Sequence, residues 1–302
     1  MTYTDRTLSK QRELGSELRR IRKRAGYLAT HMASMLGWGE PTISHAENGF
    51  RNLPDGKIAL YLARAKATTE EFDRLVALDR HPDNGYQVRP HPAGIPDALP
   101  AITLLDAEST SYSTYDAVDI PRHLQIEPYV HTNLGKHGHC QGPALDAAAQ
   151  ARLTRNPSST HKPGPFVFYV PESVLLGTLE NPVIACEQLV HLILLSSLPR
   201  CHIHLVPAGA PVADLGTGFT LYRHEDHPPV VHHQLPTASL FFEKEHDVAY
   251  YERYLEQLAA LSLGRRETRE WLSRTQADAE RCLVEAQPVV LSRCATGAAA
   301  GT

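Results

Sequence analysis

Two short segments with helical apolar spacing, 29–36 and 40–48, are separated only by Gly37, Trp38 and Gly39. So short a connection holds no wandering loop, and two helices must meet there at a tight turn. Met32, Ala33 and Leu36 share one side of the first segment. Pro41 is tolerated in the first turn of the second, and Gly49 supplies its stop. This helix-turn-helix spacing predicts a small helical domain around it. Residues 11–25 predict a preceding helix with Leu14, Leu18 and Ile21 on one face and Gly26 after it. Asp55 is placed to cap a fourth helix reaching Ala65, with Ile58 and Leu62 inward. Thr68 or Thr69 is placed to cap a fifth, with Phe72, Leu75, Val76 and Leu78 apolar.

The predicted domains are therefore a helix-turn-helix unit over 8–80, a proline-rich linker over 81–100, an effector domain over 101–275 and a disordered tail over 287–302. The linker holds Pro82, Pro90, Pro92, Pro96 and Pro100. In the larger domain, helices are expected over 104–115, 144–155, 184–197, 248–263 and 266–281. Strands are expected over 166–170, 201–206, 218–222, 230–233 and 239–242. The fold class is α+β, an all-α unit followed by a mixed one.

Composition narrows the class further. With 42% hydrophobic and 21% charged residues, the chain reads as a globular protein. No apolar run is long enough to span a bilayer, and the polar first ten residues lack the core of a secretory signal. Cys140, Cys186, Cys201, Cys282 and Cys294 form no CxxC pair, which argues against a disulfide framework. A cytoplasmic protein with reduced thiols is expected. Charge is uneven. Residues 1–80 carry 14 Lys and Arg against 10 Asp and Glu, a net +4, which leaves −8 on the rest. Arg19, Arg20, Arg22, Lys23 and Arg24 cluster on the first helix and would attract phosphate.

By geometry, the third helix of such a unit enters the major groove of double-stranded DNA. Glu40, Thr42 and His45 would then face base edges. Ser44, Asn48, Arg51 and Asn52 are placed for phosphate contacts. Ile43 and Ala46 are expected to pack inward, and Glu47 to pair with a basic residue of the first helix, Arg22 being the candidate.

The run Leu36-Gly37-Trp38 followed by Thr42-Ile43-Ser44-His45-Ala46-Glu47-Asn48-Gly49 resembles the XRE family of helix-turn-helix regulators. The remainder is similar to an uncharacterised C-terminal domain found behind this unit in actinomycete regulators. Ile120-Pro121, Leu124-Gln125, Ala151-Arg152-Leu153 and Gly218-Phe219-Thr220-Leu221 carry that likeness. The resemblance implies a homodimeric transcriptional regulator of a pathway such as secondary metabolism, with a C-terminal domain that senses a small-molecule effector or partner. The family pattern has a Ser-Gln pair where this chain has Leu28 and Ala29, and commonly another where it has Gly39-Glu40-Pro41. Leu28 cannot cap a helix, and Ala29 cannot bond a phosphate.

Histidines accumulate in the C-terminal half. His123, Gln125, His202, His204, His232 and His233 are the candidate ligand-binding residues. His202 and His204 alternate along a strand, and His137, His139 and Cys140 form a second concentration, but neither spacing is diagnostic of a metal. No metal or cofactor is expected. The chain holds no G-x-S-x-G elbow, P-loop or G-x-G-x-x-G. The alternative reading is a regulator-derived enzyme that has lost DNA binding. Its acid–base pairs would come from Glu187 with His191, or from Glu243, Glu245 and His246.

Overall fold

The computed structural model describes residues 9–50, 53–81, 84–91, 95–136, 142–154, 164–213, 215 and 217–286. Arg51, Asn52, His137, His139, Cys140 and the tail 287–302 lie outside the described residues.

The N-terminal region contains α1 (Ser9–Arg24), α2 (Ala29–Leu36), α3 (Glu40–Glu47), α4 (Asp55–Arg64) and α5 (Thr69–Arg80). Leu14, Leu18 and Ile21 of α1 meet Met32, Ile43, Ile58, Leu62 and Leu75 in one apolar core. The helix ends follow local chemistry. Gly37 takes the left-handed conformation that closes α2, at φ 66°. Thr68 accepts from the Glu71 N–H while Glu71 returns to the Thr68 N–H, a reciprocal cap on α5. Pro54, not Asp55, stands at the start of α4, without a side-chain cap. A close approach of α1 to α3 depends on Gly15, where a Cβ would lie 2.6 Å from the Ala46 carbonyl oxygen.

The segment expected as a linker is partly a strand. Tyr86–Pro90 forms β1, antiparallel to β7 (Ala238–Phe242). Being at the sheet edge, β1 tolerates a proline at its end. Among the described residues one seven-stranded sheet runs in the order β1, β7, β6, β5, β2, β3, β4. The other members are β2 (Ser111–Tyr115), β3 (Phe166–Pro171), β4 (Cys201–Val206), β5 (Phe219–Arg223) and β6 (Val230–Gln234). Strands β2, β3 and β4 are parallel, and the remaining pairings are antiparallel. One face is covered by α6 (Pro100–Glu108), α10 (Pro182–Ser196) and α12 (Arg265–Ala286) through Ile102, Leu105, Leu189, Leu192 and Leu272. The other is covered by α11 (Glu245–Leu261) through Val248, Tyr254, Leu255 and Leu258. Three further helices, α7 (Glu127–Lys136), α8 (Pro143–Leu153) and α9 (Glu172–Thr178), lie in the crossovers. The class is α+β.

The expected helix over 104–115 is corrected. It divides into α6 and β2, because Ser109 turns extended (ψ 136°) and the following residues pair on both sides, with β5 and β3. Tyr, Ser and Thr at a central pleated position favour that outcome.

Helix α1 belongs to both regions. Its first turns sit in a seam against the sheet, where Arg89 of β1 donates to both Glu13 oxygens at 2.6 and 2.9 Å. Ser9 donates its N–H and hydroxyl to the two oxygens of Glu243 at 2.9 and 2.6 Å. Arg12 reaches Glu108 of α6 at 2.8 Å, and Lys10 donates to the carbonyls of Asp79 and His81. All of Ser9, Lys10, Arg12, Glu13, Arg89 and Glu243 are buried.

Candidate functional site

Helix α3 divides cleanly between two faces. Ile43, Ala46 and Glu47 are buried, whereas Glu40, Ser44, His45 and Asn48 are exposed and Thr42 is half-buried. The inward face is fixed by an ion pair. Arg22 donates to Glu47 from Nε at 2.6 Å and from Nη2 at 2.7 Å, and Tyr61 adds a bond at 2.6 Å. Burial opposes the ionised form of Glu47, but these donors outweigh it and hold its carboxyl below the usual value. The expected Arg22–Glu47 pair is therefore present, with Tyr61 as a third member that the sequence did not suggest.

Much of the basic cluster is paired with glutamates within the protein. Arg20 pairs with Glu17 and Glu71, Arg24 grips Glu71 with two bonds, and Arg22 is spent on Glu47. Hydrogen bonding to Arg24, first among several causes, depresses the Glu71 carboxyl. Arg19 donates to Asn48, which in turn donates to Ser44 at 3.3 Å. That chain orders the polar side chains of the outward face. At the start of α2, Leu28 is extended, gives no side-chain cap and is 72% exposed.

The six candidate ligand-binding residues are not gathered into one place. His123 and His232 share a small cavity of about 60 Å³ with Thr114, Asp116, Arg122 and Thr220. His123 pairs with Asp106 at 3.1 Å, and His232 with Ser239 at 3.0 Å. Gln125 is buried nearby and bonded to Asp119, Ile120 and Arg152. His233 faces the opposite side of the sheet, between Thr217 (2.9 Å) and Tyr251 (2.8 Å). Burial pushes its imidazole down to about 4. His202 and His204 lie on β4, bonded to the carbonyls of Pro199 and Leu263. Among the described residues no three His, Cys, Asp or Glu gather with metal-ligand geometry. Among the acid–base candidates of the enzyme reading, Glu243 and His246 have other partners. Glu243 holds Ser9 in the seam, and His246 is 70% exposed beside Asp247.

A larger cleft, of about 480 Å³, lies elsewhere. It opens between the 117–119 turn, α7, α9 and the start of α10. Asp119, Tyr129, Thr132, Ser173, Val174 and Ile184 are among its walls. No motif announced it, because its residues come from three separated segments. Its volume is that of a small-molecule site. Among the described residues no helix is long and apolar enough to cross a membrane.

A helix-turn-helix unit seated on a mixed seven-stranded sheet by its first helix defines the class of protein. A family model described as "Helix-turn-helix domain" matches residues 13–75. A second, described as "Domain of unknown function (DUF5753)", matches residues 99–274, and the chain belongs to that family. No curated protein matches the chain. A solved chain described as "Structure of TrmBL2, an archaeal chromatin protein, shows a novel mode of DNA binding" is similar at 9% identity. The TM-score is 0.29 over 79% of this chain and 88% of that one, too low to carry an argument.

Proposed function

We propose that this protein is an XRE-type transcriptional regulator that reads double-stranded DNA through α3. The carrying observation is the uncovered row Glu40, Ser44, His45 and Asn48 on a helix whose opposite face is locked by Ile43, Ala46 and the Arg22–Glu47 pair. A recognition helix needs that combination of a rigid inner face and a free polar outer face. In this reading Glu40, Thr42 and His45 face base edges, and Ser44, Asn48, Arg51 and Asn52 contact phosphates. The chain acts as a homodimer on two half-sites. Its C-terminal region senses a small-molecule effector, and the pathway it controls is of the secondary-metabolism kind. With Arg20, Arg22 and Arg24 tied to glutamates, and with no cap or phosphate donor at Leu28 and Ala29, binding rests on few charged contacts. Its salt dependence is correspondingly shallow for a protein of this class.

The test is capture of genomic fragments by the purified chain at low salt. Sequence-selective fragments are expected, and His45→Ala with Ser44→Ala should weaken the captured site by about tenfold or more while the fold is retained. Absence of any enriched fragment at low salt sinks the proposal.

A further inference from the structure

We propose that the 480 Å³ cleft between α7, α9 and α10 binds an organic cation, an amine carried on a small apolar body. The inference deepens the effector-sensing reading and rests on it only for any consequence at DNA.

The charge of the lining sets the class. Asp119 and Glu180 are its two charged residues, and among the described residues no Lys, Arg or His lines it. Asp119 is half-buried, and its hydrogen-bond donors are all uncharged: the Tyr129 hydroxyl at 2.5 Å, the Gln125 amide at 3.0 Å and the Ile120 N–H at 2.8 Å. These donors orient the carboxylate without neutralising it. Behind it lies Asp116, whose carboxyl is pushed up by burial and by the Asp119 charge. Tyr129 is raised by burial first and then by Asp119, so its phenol remains a donor. The cleft therefore presents the Asp119 carboxylate at its base, with the exposed Glu180 on its rim. A partly desolvated carboxylate without a cation attracts one far more strongly than a carboxylate in water does.

The walls set the rest. Val118, Val174 and Ile184 offer apolar surface, and Val118 is 72% exposed at the lip. Thr132 and Ser173 add hydroxyls that accept or donate. The start of α10 also borders the cleft and by itself would favour an anion. Its N–H groups are already reduced: Asn181 caps Ile184 at 3.4 Å, and Pro182 has none. The carboxylates decide the sign.

A chain of hydrogen bonds leads from the site to Asp97. Gln125 bonds Asp119, Arg152 bonds Gln125 at 3.2 Å, and Arg152 bonds Asp97 at 3.1 Å. Asp97 stands just before α6, whose Glu108 holds Arg12 of α1.

The experiment is calorimetric titration of the full chain with three probes of one shape: phenethylamine, phenethyl alcohol and 3-phenylpropionate. The amine is expected to bind about tenfold or more tightly than the other two. Asp119→Asn should lose about tenfold in amine affinity, Glu180→Gln a smaller factor, and Val174→Trp should block the amine by filling the cleft. Glu180 is exposed, so its variant keeps the test intact if Asp119→Asn fails to fold. The proposal is overturned if the carboxylate probe binds as well as the amine. It is equally overturned if no probe binds, or if Glu180→Gln and Val174→Trp both leave amine affinity unchanged. Fragment capture is scored separately. Amine binding without DNA capture removes the regulator reading alone, and DNA capture without amine binding removes this proposal alone.

Discussion

Along the single helix α1, two kinds of packing follow one another. From Leu14 to Ile21 its buried side is mainly apolar and meets Met32, Ile43, Ile58 and Leu62, with Arg22–Glu47–Tyr61 as a polar inclusion at one end. From Ser9 to Glu13 its buried side is polar and meets Arg89, Glu108, Gln87 and Glu243. Apolar burial supplies free energy without direction, whereas buried charge pairs supply little net free energy but strong orientation. The difference teaches that the helical unit folds on its own core and is aimed by its seam. Arg12 emphasises the contrast. It bonds Glu108 through one nitrogen, while Nε and Nη2 are buried without a partner, and burial pulls its guanidinium down. The seam is specific rather than optimised.

The largest effect should come from the polar inclusion. Glu47→Ala leaves Arg22 and Tyr61 buried without their acceptor, and about 3–5 kcal/mol of N-terminal stability should be lost in urea unfolding. A loss below about 1 kcal/mol would remove the contrast, since Glu47 would then be no more than a surface charge.

Next is the seam. Glu13→Ala should cost about 3 kcal/mol locally by stranding Arg89, yet leave the N-terminal core folded. Hydrogen exchange reads this directly: protection falls in the first turns of α1 and in β1 but persists in α4. Pairing it with Arg89→Met should restore much of the loss, because no charge is then left uncompensated. Uniform loss of protection through all five helices would show that seam and core are one cooperative unit.

The third prediction concerns pH. The folded pKa of His233 is about 4, down from 6.5. The unfolded chain therefore binds more protons between those values, and stability falls as pH falls from about 6.5 to about 4. Roughly 2–3 kcal/mol is at stake. Differential unfolding against pH should show the slope, and His233→Gln should reduce it, leaving the part owed to His91, His191, His204 and His227, which burial also pushes down. A slope unchanged by the substitution assigns it elsewhere.

The smallest effect is at the start of α2. Leu28→Ser should add about 1 kcal/mol by supplying the missing cap. Together with Ala29→Gln it should raise DNA affinity at low salt more than at high salt. Unchanged affinity would remove α2 from the interface.

What the sequence disclosed was whatever depended on local period. The inward and outward residues of α3 follow from helical spacing, whereas the reach of Glu47 to Arg22 came from the likeness to helix-turn-helix folds. The five helices, the paired strands β5, β6 and β7, and the long helices α10, α11 and α12 also followed from local period. What it hid depended on partners far along the chain. Ser111–Tyr115 became a strand only because β3 and β5 flank it. The basic cluster read as a phosphate surface until Glu17 and Glu71 came to neutralise it. Histidine abundance drew attention to His202, His204 and His233, which make fixed hydrogen bonds within the protein. The cleft has no such abundance, and only the convergence of the 117–119 turn, α9 and α10 on α7 creates it.

The 16 residues of α1 make a rod of about 24 Å. The two ends are gripped by different parts of the molecule, Glu13 by the sheet and Arg22 by α3. Such a rod is a lever. A tilt of about 5° at the seam displaces its far end by roughly 2 Å, the difference between a hydrogen bond made and one missed. In the proposed dimer both levers would swing, and the spacing between the two α3 helices would be set at Arg89.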